Sequence, residues 1–321
     1  MADQAASLTR VAPVTGASNS AVRFRDGVVF YVLAGVLAIF FFGPFFWTIS
    51  SSLKVASEIT TFPPQFWPNE AQFYNYYRAW TKVPFFTMGL ASFAIPGTDM
   101  FLNVPTFGGF YVNSLIVAVL AVSGQVLSAC LVAYGFARFQ FPFRNALFML
   151  VIATLIVPWE VTIIPSFLLY KWLGWLDSLK PLIVPSWFGG SPLYIFLLRQ
   201  FFMGIPRDLD EAAEVDGANS FRVLWQILIP LCMPALTTVA IFSFLQHWNE
   251  FIQPLIFLNT TENYTVSLGL RLFQTSAADP GEPKEHLMMA AAVIASIPCI
   301  LLFFFAQRFF VRGIVMSGIK G

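Results

Sequence analysis

Charge is scarce in this sequence. Asp, Glu, Lys and Arg make up 11% of the chain, against about 25% in soluble domains, which places it in the membrane class. The net charge is +1, so nothing in the charge balance suggests a nucleic-acid partner. Cysteine is rare and scattered: Cys130, Cys232 and Cys299 each lie in or beside a hydrophobic stretch. They offer neither a disulfide framework nor metal-ligand spacing, and they read as small apolar packing residues. No G-x-x-x-x-G-K-[ST] loop is present, so the chain cannot hold ATP by that route. HExxH, G-x-S-x-G and paired catalytic carboxylates are also missing, which argues against an intramembrane enzyme. The first residues are rich in Ala, Ser and Thr and lack the basic region, apolar core and cleavage site of a signal peptide. Residues 1–24 read as a flexible tail, and the hydrophobic stretch after them as a retained anchor.

What the chain has in abundance is apolar surface. It is 57% hydrophobic, with a mean hydropathy of +0.71. A helix needs about 20 apolar residues to cross the hydrocarbon core. Six segments qualify: Val28–Ile49, Asn113–Phe136, Ala146–Leu169, Pro185–Phe202, Ile227–Leu258 and Leu287–Phe310. The fourth is short and interrupted by Gly189, Gly190 and Pro192. The fifth carries Pro230 and Pro234 and gives a usable span from about Leu231. The expected fold is an all-α integral membrane protein with six transmembrane helices over residues 25–321. Six spans put both termini on one side. That side collects eleven of the eighteen Lys and Arg residues, mostly near span ends, and the positive-inside rule makes it the cytoplasm. Two outer loops are large, at about 50–111 and 259–286. The first is rich in Pro and aromatics, which fits a folded cap or an interfacial belt.

The cytoplasmic segment at about 203–226 is unlike the rest. Pro206 breaks the preceding element, and Asp208 stands three residues before Glu211, a spacing that suits a capping box. Asp208, Asp210 and Glu211 crowd a first helical turn, where the dipole favours negative charge. Gly217 can close the helix in a left-handed conformation, and Asn219 or Ser220 can cap the next one. There Phe221, Leu224, Trp225 and Leu228 recur at helical spacing on one apolar face. The small pair Ala212–Ala213 would let another backbone approach, beside the acceptor Glu211. The plain alternative is a solvated acidic loop helix.

These residues resemble a known family. Glu211, Ala212, Ala213, Gly217, Ile227 and Pro230 match the EAA loop of ABC importer permeases, with Ile229 where the family usually has Leu. RFQFPFRNALF, VPWEVTIIPSFLL, IFLLRQFF, WNEFIQPL and QRFFVRGIVMSGIKG are similar to the MalG-type subunit of carbohydrate importers, and the likeness covers about residues 25–321. The resemblance implies a cytoplasmic coupling helix of Glu211, Ala212, Ala213, Asp216, Gly217, Ile227 and Pro230 that seats in an ATPase. It also implies a second homologous permease, two ATPase subunits that carry ATP and Mg²⁺, an extracytoplasmic solute-binding protein, no cofactor on this chain, and a bacterial or archaeal plasma membrane with both termini cytoplasmic.

Polar groups inside spans are functional candidates by default. In the fifth span Ser243, Gln246, Asn249, Glu250 and Gln253 recur along one expected helical face. They either line a solute path or glue this chain to its partner permease. Glu160, between Pro158 and Pro165, is a second candidate on a span that the prolines should kink; it either joins the path or sits at the outer interface. The spans offer no Lys or Arg near their centres, which favours a neutral sugar, a di- or oligosaccharide, over a phosphorylated solute. A self-sufficient channel or secondary transporter is the alternative. It would account for six spans but not for the cytoplasmic helix pair.

Overall fold

The computed structural model describes residues 18–81, 91–94, 101–104, 106–189, 191–273 and 284–317. In chain order the elements are α1 (Ser18–Ser52), α2 (Ala56–Ile59), α3 (Tyr74–Thr81), a hairpin of β1 (Ala91–Ala94) and β2 (Phe101–Val104), α4 (Thr106–Arg138), α5 (Arg144–Ala153), α6 (Trp159–Trp172), α7 (Lys180–Ile183) and α8 (Pro192–Gly204). They continue with α9 (Asp208–Val215), α10 (Ser220–Val223), α11 (Ile229–Leu231), α12 (Met233–Asn249), α13 (Ile252–Phe257), α14 (Val266–Leu272) and α15 (Glu285–Ser317). The hairpin is antiparallel, pairing Ala91 with Val104 and Ala94 with Phe101, and is a small exception to the helical rule. α1 begins inside the stretch read as a tail. Residues 1–17 of that tail lie outside the described residues.

Four stretches among the described residues are long and apolar enough to cross a bilayer: Gly27–Ser52, Phe107–Arg138, Lys180–Gly204 and Glu285–Gln307. Two more qualify only as bent pairs, Arg144–Ile156 with Trp159–Trp172 at 97° and Ser220–Leu231 with Met233–Asn249 at 80°. The six expected spans are reached if each bent pair crosses once. The first bend falls where Val157 turns extended (ψ 114°) before Pro158, since a residue preceding proline is pushed out of the helical region. The second falls at Cys232, between Pro230 and Pro234.

α4 is the central post, packing along α8 and α12. Its inward residues Ala118, Ala121, Ala129, Ala133 and Ala137 are all buried, and such small side chains let helices approach closely without a hydrophobic drive from lipid. Gly124 belongs to the same contact: a Cβ there would run into the Trp187 indole. α15 packs on α1, α3 and α12, and Trp248 Nε1 donates to the Ala295 carbonyl at 3.0 Å. By contrast residues 28–44 of α1 are apolar and exposed on every side, with Phe30, Ile39 and Phe41 strongly so. A helix with no polar face needs lipid or another membrane helix to cover it.

The stretch after α1 is a folded cap. Lys54 is fully buried, with its ammonium 4.1 Å from the Trp47 ring centroid and donating to the Gln65 carbonyl at 2.6 Å. Burial pushes its pKa down, and Glu58 pulls it partly back. Asn75 Nδ2 donates to the carbonyls of Ser52 and Lys54 at 3.0 and 2.8 Å. The stretch expected as a loop at 259–286 is largely built. It contains α14, α15 starts at Glu285, and residues 274–283 lie outside the described residues. Asp177, at a left-handed φ of 58°, clasps it. Its Oδ1 accepts from the amides of Asn259 and Thr260 at 2.9 and 2.8 Å, and Oδ2 accepts from the Thr260 hydroxyl. These bonds, the Thr260 hydroxyl foremost, lower its pKa to about 2.

Candidate coupling segment and polar cavity

The segment from Asp208 to Leu231 is shaped by local chemistry. Its first helix, α9, is closed by a Schellman motif. Gly217 sits at φ 82°, its amide bonds to the Glu214 carbonyl at 3.0 Å, and the Ala218 amide reaches the Ala213 carbonyl at 2.9 Å. Only a residue without Cβ adopts that conformation freely. Asn219 then caps α10, its side chain accepting from the Arg222 amide at 2.8 Å. Both expectations hold. The capping box does not form: Asp208 is already inside α9, the cap position falls on Arg207, and no side chain bonds there.

Two contacts tie this segment to α4. Arg138 Nε lies 2.7 Å from Asp210 Oδ2 as an ion pair whose side chains are 7% and 15% exposed, and Arg138 Nη2 donates to the Ile205 carbonyl at 3.1 Å. The Tyr134 hydroxyl donates to the Ser220 carbonyl at 2.9 Å. Burial, aided by the charge of Glu211, raises the Asp210 pKa overall, against the pull of Arg138 and Arg207. Neither Arg138 nor Asp210 was marked as a site residue by sequence. They stand 72 positions apart, and only the adjacency of Asp210 to Glu211 hints at a role.

The motif residues fall on two sides. Glu211, Ala212, Asp216 and Gly217 are exposed, while Ala213 is buried in the core shared by α4, α8 and α12. Of the small pair, therefore, only Ala212 is open to another chain; Ala213 lets α9 approach this chain's own core. Ile227 packs against that same core and Pro230 is exposed. The expected apolar face of the second helix splits in two. Leu224 and Leu228 are buried together with Val223, whereas Phe221 and Trp225 point outward, their rings 5.8 Å apart. A π turn at Leu224–Leu228 rotates the helix and separates the two sets. The open surface thus combines Glu211 and Ala212 with Leu209, Val215 (87% exposed), Phe221 and Trp225.

The polar stripe of the fifth span is not one helical face. α12 ends at Asn249, Glu250 turns extended (ψ 125°), and Gln253 belongs to the separate helix α13. Glu250 ends α12 by capping α13, its Oε1 accepting from the amides of Ile252 and Gln253 at 3.1 and 3.2 Å. Asn249 is exposed and bonds back to the Leu245 carbonyl at 2.8 Å. Gln246 and Gln253 do meet, at a cavity of about 230 Å³ that they line with Gln125, Thr162, Ser166 and His247. Trp159 and Tyr170 add aromatic faces, and among the described residues no Lys, Arg, Asp or Glu lines it. Glu160 is exposed in the first turn of α6, next to Trp159 but outside the lining. The residue that sequence missed is Gln125, buried on α4. Its Oε1 accepts from the Ser243 hydroxyl at 2.5 Å and lies 3.1 Å from His247 Nε2. The Tyr194 hydroxyl donates to Gln246 Oε1 at 3.3 Å. Amides, hydroxyls and rings of this kind can recognise an uncharged, hydroxyl-rich solute.

Spans of this kind around a polar cavity, with a charged helix pair held at one end, define a multi-span transport protein. Residues 125–316 match the family described as binding-protein-dependent transport system inner membrane component, and the chain belongs to that family. It is 33% identical over 224 residues to the arabinooligosaccharides transport system permease protein AraQ of Bacillus subtilis, covering 70% of this chain and 78% of the relative. It is 34% identical over 215 residues to the sn-glycerol-3-phosphate transport system permease protein UgpE of Yersinia enterocolitica, covering 67% and 75%. Its fold is similar to a crystal structure of a bacterial ABC transporter involved in the import of the acidic polysaccharide alginate. The TM-score is 0.72 at 23% identity, covering 90% of this chain and 98% of that one. The chain is a permease subunit of a binding-protein-dependent ABC importer, multi-pass in the plasma membrane, and a transport component rather than an enzyme.

Proposed function

We propose that this chain pairs with a second, homologous permease to form the path for a neutral di- or oligosaccharide. An extracytoplasmic binding protein delivers the sugar, and two ATPase subunits, which hold the ATP and Mg²⁺, drive its passage. Both termini and the segment around residues 203–226 face the cytoplasm. The observation that carries the reading is α9, tethered to α4 by Arg138 and Asp210 with Glu211 and Ala212 facing outward. An ATPase seated on that face moves α9. The motion reaches the end of α4 through the ion pair and α12 through the continuous turns from Ser220 to Leu231. Gln246 and Gln253 at the cavity, with Gln125 behind them, are the path residues. Glu250 acts as a helix cap, and Glu160 and Asn249 stand apart. The uncharged lining supports a neutral solute over a phosphorylated one.

The test is purification of the chain from its native membrane in mild detergent. A homologous permease and an ATPase in fixed ratio, weakened by Glu211→Ala, is the expected result. That substitution removes one end of a charge-assisted contact. A chain that purifies alone and moves solute without ATP would return the reading to a self-sufficient transporter.

A further inference from the structure

Positive charge at the end of α4 exceeds what its neighbours neutralise. Arg138, Arg144, Arg199 and Arg207 line one open cavity of about 310 Å³, set between the C-terminal ends of α4 and α8, the first turn of α5 and the turn before α9. One carboxylate among the described residues answers them, Asp210 on Arg138. The other three guanidinium groups are steadied by neutral partners. Arg144 Nη1 donates to the Phe139 carbonyl at 3.2 Å. Arg199 Nε donates to the Phe136 carbonyl at 3.4 Å, and its guanidinium lies 4.0 Å from the Phe148 ring centroid. Arg207 Nη2 reaches the Ala137 carbonyl at 3.5 Å. These contacts fix the groups in place, and with Asp210 shared between Arg138 and Arg207 the cluster keeps more positive charge than its one carboxylate offsets. A guanidinium carries five N–H donors, and each of these three spends one on the chain.

The cavity also sits at a telling depth. Leu147, Phe201 and Met203, on the span surfaces beside it, are exposed and apolar, as lipid-facing residues are. On its other side the chain turns to charged residues, with Arg207 and Asp208 exposed. Arginines gathered where an apolar span surface meets a charged one suit the headgroup level of a bilayer. We propose that this cavity binds the phosphate of an anionic lipid headgroup, in the leaflet on the side of α9. The planar guanidinium fork matches phosphate oxygens two at a time, and basic pockets between spans take such headgroups. A volume equal to roughly ten waters leaves room for a glycerophosphate. The orientation proposed above decides only which leaflet this is; the chemistry of the cavity stands without it.

The test uses the full-length chain in detergent, titrated with phosphatidylglycerol or phosphatidylcholine, with bound lipid counted by native mass spectrometry. Phosphatidylglycerol should be retained in preference to phosphatidylcholine. Arg144→Gln and Arg207→Gln should each weaken that retention about fivefold, the factor expected for one basic residue near a charged membrane surface. Arg144→Lys, which keeps the charge but loses the bidentate fork, should restore part of it and shows that the fold tolerates change there. Lys171→Gln, which removes a charge at the far end of α6, should change nothing. Equal retention of the two lipids, or retention unmoved in both Gln variants, would overturn the proposal. Displacement by inorganic phosphate at equal concentration would assign the cavity to a free anion instead. Expulsion of the lipid when the ATPase is added would assign it to the protein interface.

Discussion

Arg138→Gln is the most revealing perturbation of the coupling segment. The ion pair with Asp210 is nearly closed to solvent, and breaking such a pair from one side costs about 3–5 kcal/mol, because the remaining charge is stranded. Arg207 still acts on Asp210, so the lower end applies. About 3 kcal/mol corresponds to roughly a hundredfold increase in the fraction of time α9 spends undocked from α4. Hydrogen exchange of the amides from 208 to 218 in the assembled importer reads this directly. The loss should also depend on pH. Burial already raises the Asp210 pKa, and removing Arg138 raises it further. The folded state then binds the proton more readily than the unfolded one, so stability is gained as pH falls through the folded pKa toward the ordinary carboxylate value. Lower protection at neutral pH, taken relative to the intrinsic exchange rate at each pH, that recovers on acidification is the expected pattern. A double-mutant cycle of Arg138→Gln with Asp210→Asn isolates the pair. A coupling energy near zero, or protection that does not change with pH, would refute the reasoning.

Gln125→Leu strands the Ser243 hydroxyl and removes the partner of His247; at about 1–3 kcal/mol per unsatisfied group, uptake should fall about tenfold or more while the ATPase still copurifies. For Asp177, a pKa lowered to about 2 gives stability that is complete above the unfolded value of about 3.9 and is lost as pH falls toward 2. Proteolysis of the loop at 259–263 should therefore rise across that window and stay flat in Asp177→Asn. Gly269→Ala drives a Cβ into the Phe110 ring. Overpacking of this kind costs about 1–3 kcal/mol and should lower the thermal midpoint of the purified chain.

What could be read from sequence was local. Gly217 and Asn219 were legible because a left-handed turn and a helix cap are decided within a few residues. Four spans were legible because lipid demands length and apolarity. The bends were only half legible. Pro44, Pro165 and Pro298 lie inside helices, whereas the chain breaks at Pro158 and at Cys232, and neighbouring packing decides which proline bends its helix. The polar stripe failed past Asn249 because Glu250 spends its carboxylate on α13, a change that no helical repeat records. Asp210 with Arg138, and Gln125 with His247, join distant segments and became visible only when α4 was placed at the centre.

The central claim is that the open face of α9 is the seat of the ATPase. It is tested most directly by thiol labelling of Ala212→Cys and Ala213→Cys in a background with the three native cysteines replaced. Ala212→Cys should label readily in the chain alone and be protected in the complex with the ATPase, while Ala213→Cys, facing the core, should resist labelling in both. Equal labelling of Ala212→Cys with and without the ATPase would contradict the account.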